Sequence, residues 1–285
     1  MSVAAVDGVT KRFGRVTALA GVTFAVERGE VVALLGANGA GKSTALALLL
    51  GLRRPDAGAA RLFGLDPRLA AARHGLGVAL QDSAFPMTLR VRELLELVRA
   101  HYPAPAPAVS LLDRFGLAPL AGRQLGGLSG GERRRVAVAL AFAGEPAFVV
   151  LDEPTAGLDG DARRDVWQAV RAKADDGGTV LLTTHHLAEA EALARRVVVL
   201  DGGAVVADDS VAAIKAAAGL TRVSFRAPAR GPIDGAERDG DRLSILTADA
   251  GAAVERLVRF GVPLAELEAR PLTLEEAIAV RKRPP

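Results

Sequence analysis

A chain of 285 residues, 50% hydrophobic and 24% charged, is long enough for one large domain plus a small one and too apolar to be disordered as its main state. The 36 basic and 33 acidic residues leave a net charge of only +3, too small to mark a nucleic-acid binder, and the absence of cysteine excludes disulfides, thiolate zinc sites and cysteine nucleophiles. Charges interrupt every apolar run before the roughly 20 residues that span a bilayer, and no apolar signal core precedes Asp7, Lys11 and Arg12, so neither a membrane span nor export is expected.

In chain order, residues 1–35 read as short β-type runs: Val3–Val6, Lys11–Arg15, Val22–Val26 and Glu30–Leu35. The last is continuously apolar, the pattern of a strand buried on both faces. A Gly-rich turn then leads into a helix over Ser43–Leu52. The stretch 86–127 differs in texture, with helical periodicity over Arg90–His101, a Pro-rich segment at 103–107 and a second helix near Ser110–Phe115, so it reads as a helical insertion. Alternation then returns: helix Gly131–Ala143, strand Phe148–Leu151, helix Asp161–Ala174, strand Thr179–Thr183, helix Leu187–Ala194 and strand Val197–Leu200. That pattern predicts an α/β fold with a mostly parallel sheet. After a helix at Ser210–Ala218, Gly219 is expected to close the main domain. A small α+β domain over 220–285 follows, with β-type runs at 223–225 and 243–246, a polar hairpin at Asp239–Asp241, helix Ala252–Phe260, a strand near Leu264–Leu267 and helix Leu274–Val280.

Gly36-Ala37-Asn38-Gly39-Ala40-Gly41-Lys42-Ser43-Thr44 satisfies G-x-x-x-x-G-K-S, leaves a buried strand and opens a helix. In that context backbone N–H groups converge on one phosphate, Lys42 reaches the β- and γ-phosphates and the Ser43 hydroxyl ligates Mg²⁺. Phe148–Leu151 runs into Asp152-Glu153, two acids at the carboxyl edge of the sheet, where Asp152 is the natural holder of Mg²⁺ and Glu153 the residue to orient or deprotonate an attacking water. Leu128-Ser129-Gly130-Gly131-Glu132 carries a capping box, Ser129 with Glu132, and its bare glycines make a second anion-binding helix start. One nucleotide has no evident use for two.

These segments, in this order, resemble the ATP-binding subunit of ABC (ATP-binding cassette) transporters over about residues 1–210. Gln81 matches the glutamine loop that contacts the γ-phosphate and Mg²⁺ and faces the membrane partner; Leu128–Glu132 matches the signature; Gly157-Leu158-Asp159 matches the D-loop; His185, in Thr183-Thr184-His185-His186, falls on the switch histidine. Signature Ser129 lies 23 residues before Asp152, and His185 lies 32 after Glu153. The resemblance implies the P-loop NTPase cassette fold, with an antiparallel N-terminal β subdomain and a helical insertion. It also implies head-to-tail pairing in which Ser129, Gly130 and Gly131 of one subunit close over the γ-phosphate bound by the other. It implies that Phe13 stacks on adenine and that Asp159 lines the nucleotide.

Without the resemblance, Arg133-Arg134-Arg135 reads as a solvated face, His74 and His101 as structural or exposed, and His186 as part of a helix cap; His185 with Glu189 lacks a third metal ligand. Phe85–Leu89, with Val91, Glu93 and Leu94, and the ending Pro271–Ala277 resemble the ABC-2 exporter branch that includes drug-resistance subunits. The expected activity is ATP hydrolysis that drives a separately encoded membrane permease, with the chain a homodimer or half of a pseudo-symmetric heterodimer at the cytoplasmic face of the membrane. The competing readings are an importer, a non-transport cassette in DNA repair or iron–sulfur assembly, and a nucleotide sensor without turnover.

Overall fold

The computed structural model describes residues 2–81, 83–226, 233, 235–239 and 242–282, and the chain packs as two compact units, 1–209 and 210–285. Strand β1 (Ser2–Phe13) pairs antiparallel with β2 (Val16–Glu27). The sequence suggests separate runs at 3–6 and 11–15, but β1 is continuous because Gly8, at φ +56°, absorbs a register shift between Val6 and Val9, and the hairpin turns at Gly14-Arg15. Strand β3 (Val31–Leu35) is buried at every residue and leads into helix α1 (Lys42–Leu49), shorter than the apolar run through Leu52 suggested, since Gly51 takes a left-handed conformation.

Strand β4 (Ala57–Leu62) returns to the free edge of β1, giving the sheet order β2-β1-β4. Strand β5 (Leu76–Ala79) opens the second layer, followed by helices α2 (Val91–Arg99), α3 (Ala108–Arg114) and α4 (Gly130–Ala141). Then come β6 (Phe148–Asp152), α5 (Gly160–Asp175), β7 (Thr179–Thr184), α6 (Leu187–Leu193), β8 (Arg196–Asp201) and β9 (Ala204–Ser210). The six-stranded sheet runs β5-β6-β7-β3-β8-β9, with β5, β6, β7, β3 and β8 mutually parallel. The alternation in the sequence thus builds the expected parallel core, and the carboxyl ends of β3, β6 and β7 lie side by side.

Helix α1 is sandwiched between the two sheets. Leu46, Leu48 and Leu49 pack into one cluster with Val6, Val9, Phe24 and Val26 of the antiparallel sheet and with the alternate residues Val32, Leu34, Phe148, Val150, Val198 and Leu200 of the parallel one. The apolar run 136–143 is likewise buried, as α4 packs on β5 and β6. Contact there is close enough that a Cβ on Gly77 of β5 would overlap the Ala141 carbonyl oxygen, so only glycine fits.

The second unit contains α7 (Val211–Ala217), strands β10 (Thr221–Arg226), β11 (Glu237–Asp239), β12 (Arg242–Thr247), helix α8 (Ala250–Arg259), β13 (Glu268–Pro271) and α9 (Leu274–Lys282). The sheet order is β11-β12-β10-β13, all antiparallel, over a small core of Val223, Phe225, Ile245, Ala253, Leu257 and Val262. Helix α7 packs against α9 and so belongs to this unit rather than to the stretch before Gly219. The run 264–267 is a 3₁₀ turn, and the strand follows it at 268–271, because Pro263 starts a turn and Pro271 is tolerated only on an edge strand. Asp239 ends β11, while Gly240 and Asp241 of the expected hairpin lie outside the described residues.

Candidate active site

The phosphate loop is shaped at its two ends by glycines that have no room for a side chain, Gly36 and Gly41. Gly41 caps α1 at φ +105°, where a Cβ would stand 2.6 Å from the Ala18 carbonyl oxygen and 2.7 Å from Leu19 Cδ2 of β2. A Cβ on Gly36 would stand 2.5 Å from the Leu200 carbonyl oxygen at the end of β8. The start of α1 has no side-chain cap and no acidic residue in its first turn, so its N–H groups and dipole favour an anion. Lys42 is buried, and its ammonium donates to the carbonyls of Gly36 (2.7 Å) and Ala37 (3.2 Å). Asn38 and Gly39 are exposed at the loop tip, and Thr44 is half-buried in the first turn.

The strand ends bring acids to this loop. Asp152, 5% exposed, accepts from the Thr183 hydroxyl at one oxygen, and from Ser43 Oγ at 3.4 Å at the other. A hydroxyl and a carboxylate converging beside a phosphate loop are the hard oxygen donors that Mg²⁺ takes alongside substrate phosphates. Among the described residues no cluster of three or more His, Asp or Glu could hold a metal ion. Glu153 adopts a left-handed φ of +50°, and its N–H is divided between the Thr183 carbonyl (3.1 Å) and hydroxyl (3.0 Å). That conformation is costly for a residue with a side chain and is kept here because two bonds fix it. His185 Nδ1 lies 3.1 Å from Glu153 Oε1, with the histidine 40% and the glutamate 12% exposed. His186 stands at the N-cap of α6 through its carbonyl, its ring centre 4.1 Å from that of His185 and tilted 40° to it.

A second group of sequence-identified residues lines a cleft of about 770 Å³: Gln81 with Ser129, Gly130 and Gly131 at the start of α4, and Asp159 at the start of α5. The capping box is formed, the Glu132 N–H donating to Ser129 Oγ (3.1 Å) and the Ser129 N–H to Glu132 Oε2 (2.6 Å). The Ser129 N–H holds the Glu132 carboxyl below its usual range. The glycines differ in surroundings: a Cβ on Gly131 would lie 2.9 Å from the Gly157 carbonyl oxygen, whereas nothing lies within 4 Å of one on Gly130. Asp159 caps α5, accepting from the Ala162 N–H at 2.8 Å.

Phe13 closes the β1–β2 hairpin, 39% exposed, with the Arg53 guanidinium 5.1 Å and the Lys11 ammonium 5.8 Å from its ring centre. Asp56 fixes this tip through the Lys11 ammonium (2.8 Å) and the Arg12 N–H (2.6 Å), and these bonds, the lysine's foremost, lower its carboxyl.

Three features escape a reading along the sequence. The arginine run is not a solvated face: Arg134 is buried and donates to the carbonyls of Leu80, Gln81 and Asp152, while Arg133 and Arg135 bond the carbonyls of Leu128 and Gly116. Thr183 bonds both acids, although strand periodicity marks it only as buried. Behind them, buried Glu189 of α6 accepts from Thr155 Oγ1 (2.8 Å) and from Trp167 Nε1 (3.2 Å) of α5.

The ABC transporter family model matches residues 19–156. The chain is 39% identical to the daunorubicin resistance ATP-binding protein DrrA3 of Streptomyces coeruleorubidus, over 95% of this chain and 93% of that protein. The chain belongs to the ATP-binding subunits of ABC transporters. This cassette is also 39% identical to the Nod factor export ATP-binding protein I of Ralstonia nicotianae, over 71% of its own length and 65% of the relative's. Among solved structures, an ATP-binding subunit of an ABC transporter superposes with a TM-score of 0.70 at 30% identity, covering 76% of this chain and 94% of that one. A dimeric cassette in a post-hydrolysis state with ADP and Pi superposes with a TM-score of 0.66 at 25% identity, covering 73% and 98%. The cassette is an ATPase, and none of its helices, among the described residues, is long and apolar enough to cross a membrane.

Proposed function

We propose that this ATPase powers an ABC-2 type exporter whose permease is a separate chain, and that it works as a head-to-tail dimer with two ATP molecules between its subunits. The observation that carries the dimer is a second helix start in the same chain: α1 opens uncapped behind the phosphate loop, while at α4 the capping box takes the N–H groups of Ser129 and Glu132 and leaves Gly130 and Gly131 between them. Gly130 opens onto a cleft that its own chain leaves free, as the γ-phosphate of a partner's nucleotide requires. The export direction is supported by the relatives that confer daunorubicin resistance and export Nod factor. Such a subunit would sit at the cytoplasmic face of the membrane through its permease, with the cassette proper in the unit 1–209 and the accessory domain in the unit 210–285.

In this reading Lys42 exchanges its bonds to Gly36 and Ala37 for phosphate oxygens, and Phe13 turns its ring face to the adenine. Ser43 and Asp152, with Gln81, would hold Mg²⁺, which supplies charge neutralisation at the β- and γ-phosphates. Glu153 orients or deprotonates the attacking water while His185 steadies its carboxylate. Closure follows from the higher affinity of the closed pair for ATP, and hydrolysis, which removes that differential, reopens it.

The deciding experiment recovers the tagged protein from gently solubilised native membranes with and without ATP. Co-recovery of a polytopic permease is expected. Recovery only from the soluble fraction, with nucleic acid or an assembly scaffold, overturns the transport reading while leaving the ATPase intact.

A further inference from the structure

We infer that Arg134 is a positioning residue that holds the Gln81 loop and the Asp152 strand end as one body with α4, so that the metal-binding side of a nucleotide site moves with the signature end of the same chain. This inference rests on the site roles given under Proposed function.

The geometry begins where a ladder ends. Parallel strands β5 and β6 pair residue for residue as far as Ala79 opposite Leu151. One residue further, Asp152 keeps its partner Thr183 on β7, while on the other side the strand departs through Leu80 into the Gln81 loop. The carbonyls just past the divergence require donors, and Arg134 supplies them. Its Nη1 donates to Leu80 O at 2.8 Å and to Gln81 O at 3.1 Å, and its Nη2 to Asp152 O at 3.0 Å. Leu80 O also accepts from Ser83 Oγ at 2.9 Å, which pins the start of the loop. The planar guanidinium, only 9% exposed as a residue, presents its donors in a fixed fork, so the distance between the two backbones is set by one rigid group. A lysine ammonium, with all its donors on one nitrogen, cannot span both nitrogen positions of that fork.

Arg134 stands one helical turn from Gly130 and Gly131, on the same rigid helix. Gln81 and the Asp152 carboxylate address the nucleotide of their own phosphate loop; Ser129 and Gly130 address that of the partner. A displacement of the start of α4 by the partner's phosphate is therefore carried through Arg134 to the residues around the ion of its own site, and the coupling is reciprocal.

The test measures binding of a non-hydrolysable ATP analogue by calorimetry, in EDTA and in Mg²⁺, for the wild type and for Arg134→Lys and Arg134→Gln. The expected result is unchanged affinity in EDTA and a roughly 10- to 100-fold smaller gain on adding Mg²⁺, the usual cost of losing a group that orients metal ligands. A full Mg²⁺ gain in Arg134→Lys, or an equal loss with and without the ion, overturns the inference and leaves Arg134 a packing residue. Lys42→Ala distinguishes the underlying failure: if that variant still binds the analogue, the site roles themselves are wrong. Should both Arg134 variants fail to fold, hydrogen exchange on the unaltered protein decides. Peptides carrying Leu80 and Asp152 gain protection together when Mg²⁺ is added to the analogue complex, and protection of one without the other overturns the coupling.

Discussion

The signature glycines separate two kinds of necessity. Gly131 is pressed against the D-loop carbonyl of Gly157, so Gly131→Ala is expected to lower the Tm by displacing that loop. Gly130 meets nothing in its own chain, and alanine is the better helix former, so Gly130→Ala should leave the Tm unchanged or slightly raised. If the added methyl nevertheless abolishes ATPase activity, the obstructed group lies outside the chain, as head-to-tail pairing demands; full activity in Gly130→Ala contradicts that pairing. At the phosphate loop, Lys42→Ala is expected to abolish nucleotide binding in calorimetry. Glu153→Gln should retain binding and lose roughly 10²- to 10⁴-fold in turnover, measured by phosphate release, since the proposed general base is removed without a change of shape. Lys42 and Glu153 were legible in the sequence because each lies within a contiguous motif at the end of a buried strand, and Gly130 and Gly131 because they stand in a contiguous motif at a helix start. Arg134 was not, because its partners Leu80 and Asp152 stand 54 and 18 residues away and both contribute backbone atoms, which leave no trace in a side-chain pattern.

At the scale of elements, β3, β6, β7 and β8 were read nearly to their bounds because their apolar residues face a core on both sides. Strand β5 is four residues long with a glycine at its centre, and β4 offers mostly small side chains, so neither carries a strong β signature, although β5 leads directly into the Gln81 loop. Gly77→Ala would force α4 off β5 and is expected to lose the folded cassette altogether. In the second unit, α9 is clamped by Glu276, which takes two bonds of 2.9 Å from Arg270, one of 2.8 Å from the Thr273 N–H and an ion pair of 2.6 Å from Arg222. Burial would raise this carboxyl, but the bonds from Arg270 and Thr273 and the charge of Arg222 outweigh it and bring it from 4.5 to about 2. A carboxyl with a depressed value binds fewer protons folded than unfolded. The stability it adds is therefore complete above about pH 4.5 and is lost as the pH falls toward 2. Thermal melts across that window should show the second unit weakening in the wild type and a flatter pH dependence in Glu276→Gln, which starts from a lower Tm; parallel curves for the two proteins would remove Glu276 as the cause.

For the whole molecule, the two-layer arrangement presses α1 between an antiparallel and a parallel sheet and directs the phosphate loop, the paired acids and the signature to the carboxyl ends of β3, β6 and β7 or to the cleft at α4. The larger unit was readable to this depth because alternating strands and helices leave few ways to bury both faces of a parallel sheet. With ATP, the Glu153→Gln protein is expected to elute as a dimer in light-scattering chromatography and to return to a monomer in ADP; a monomer in both would contradict closure by ATP. One feature of the same body can report such states without a label. The chain has a single tryptophan, Trp167, whose indole N–H is donated to buried Glu189 on the helix that follows His185. Its emission therefore comes from one place, between the helix that begins at Asp159 and the helix beyond the switch histidine. Any movement that lengthens the bond to Glu189 alters the polarity felt by the indole and shifts its colour, so emission recorded with and without ATP reads whether these two helices part.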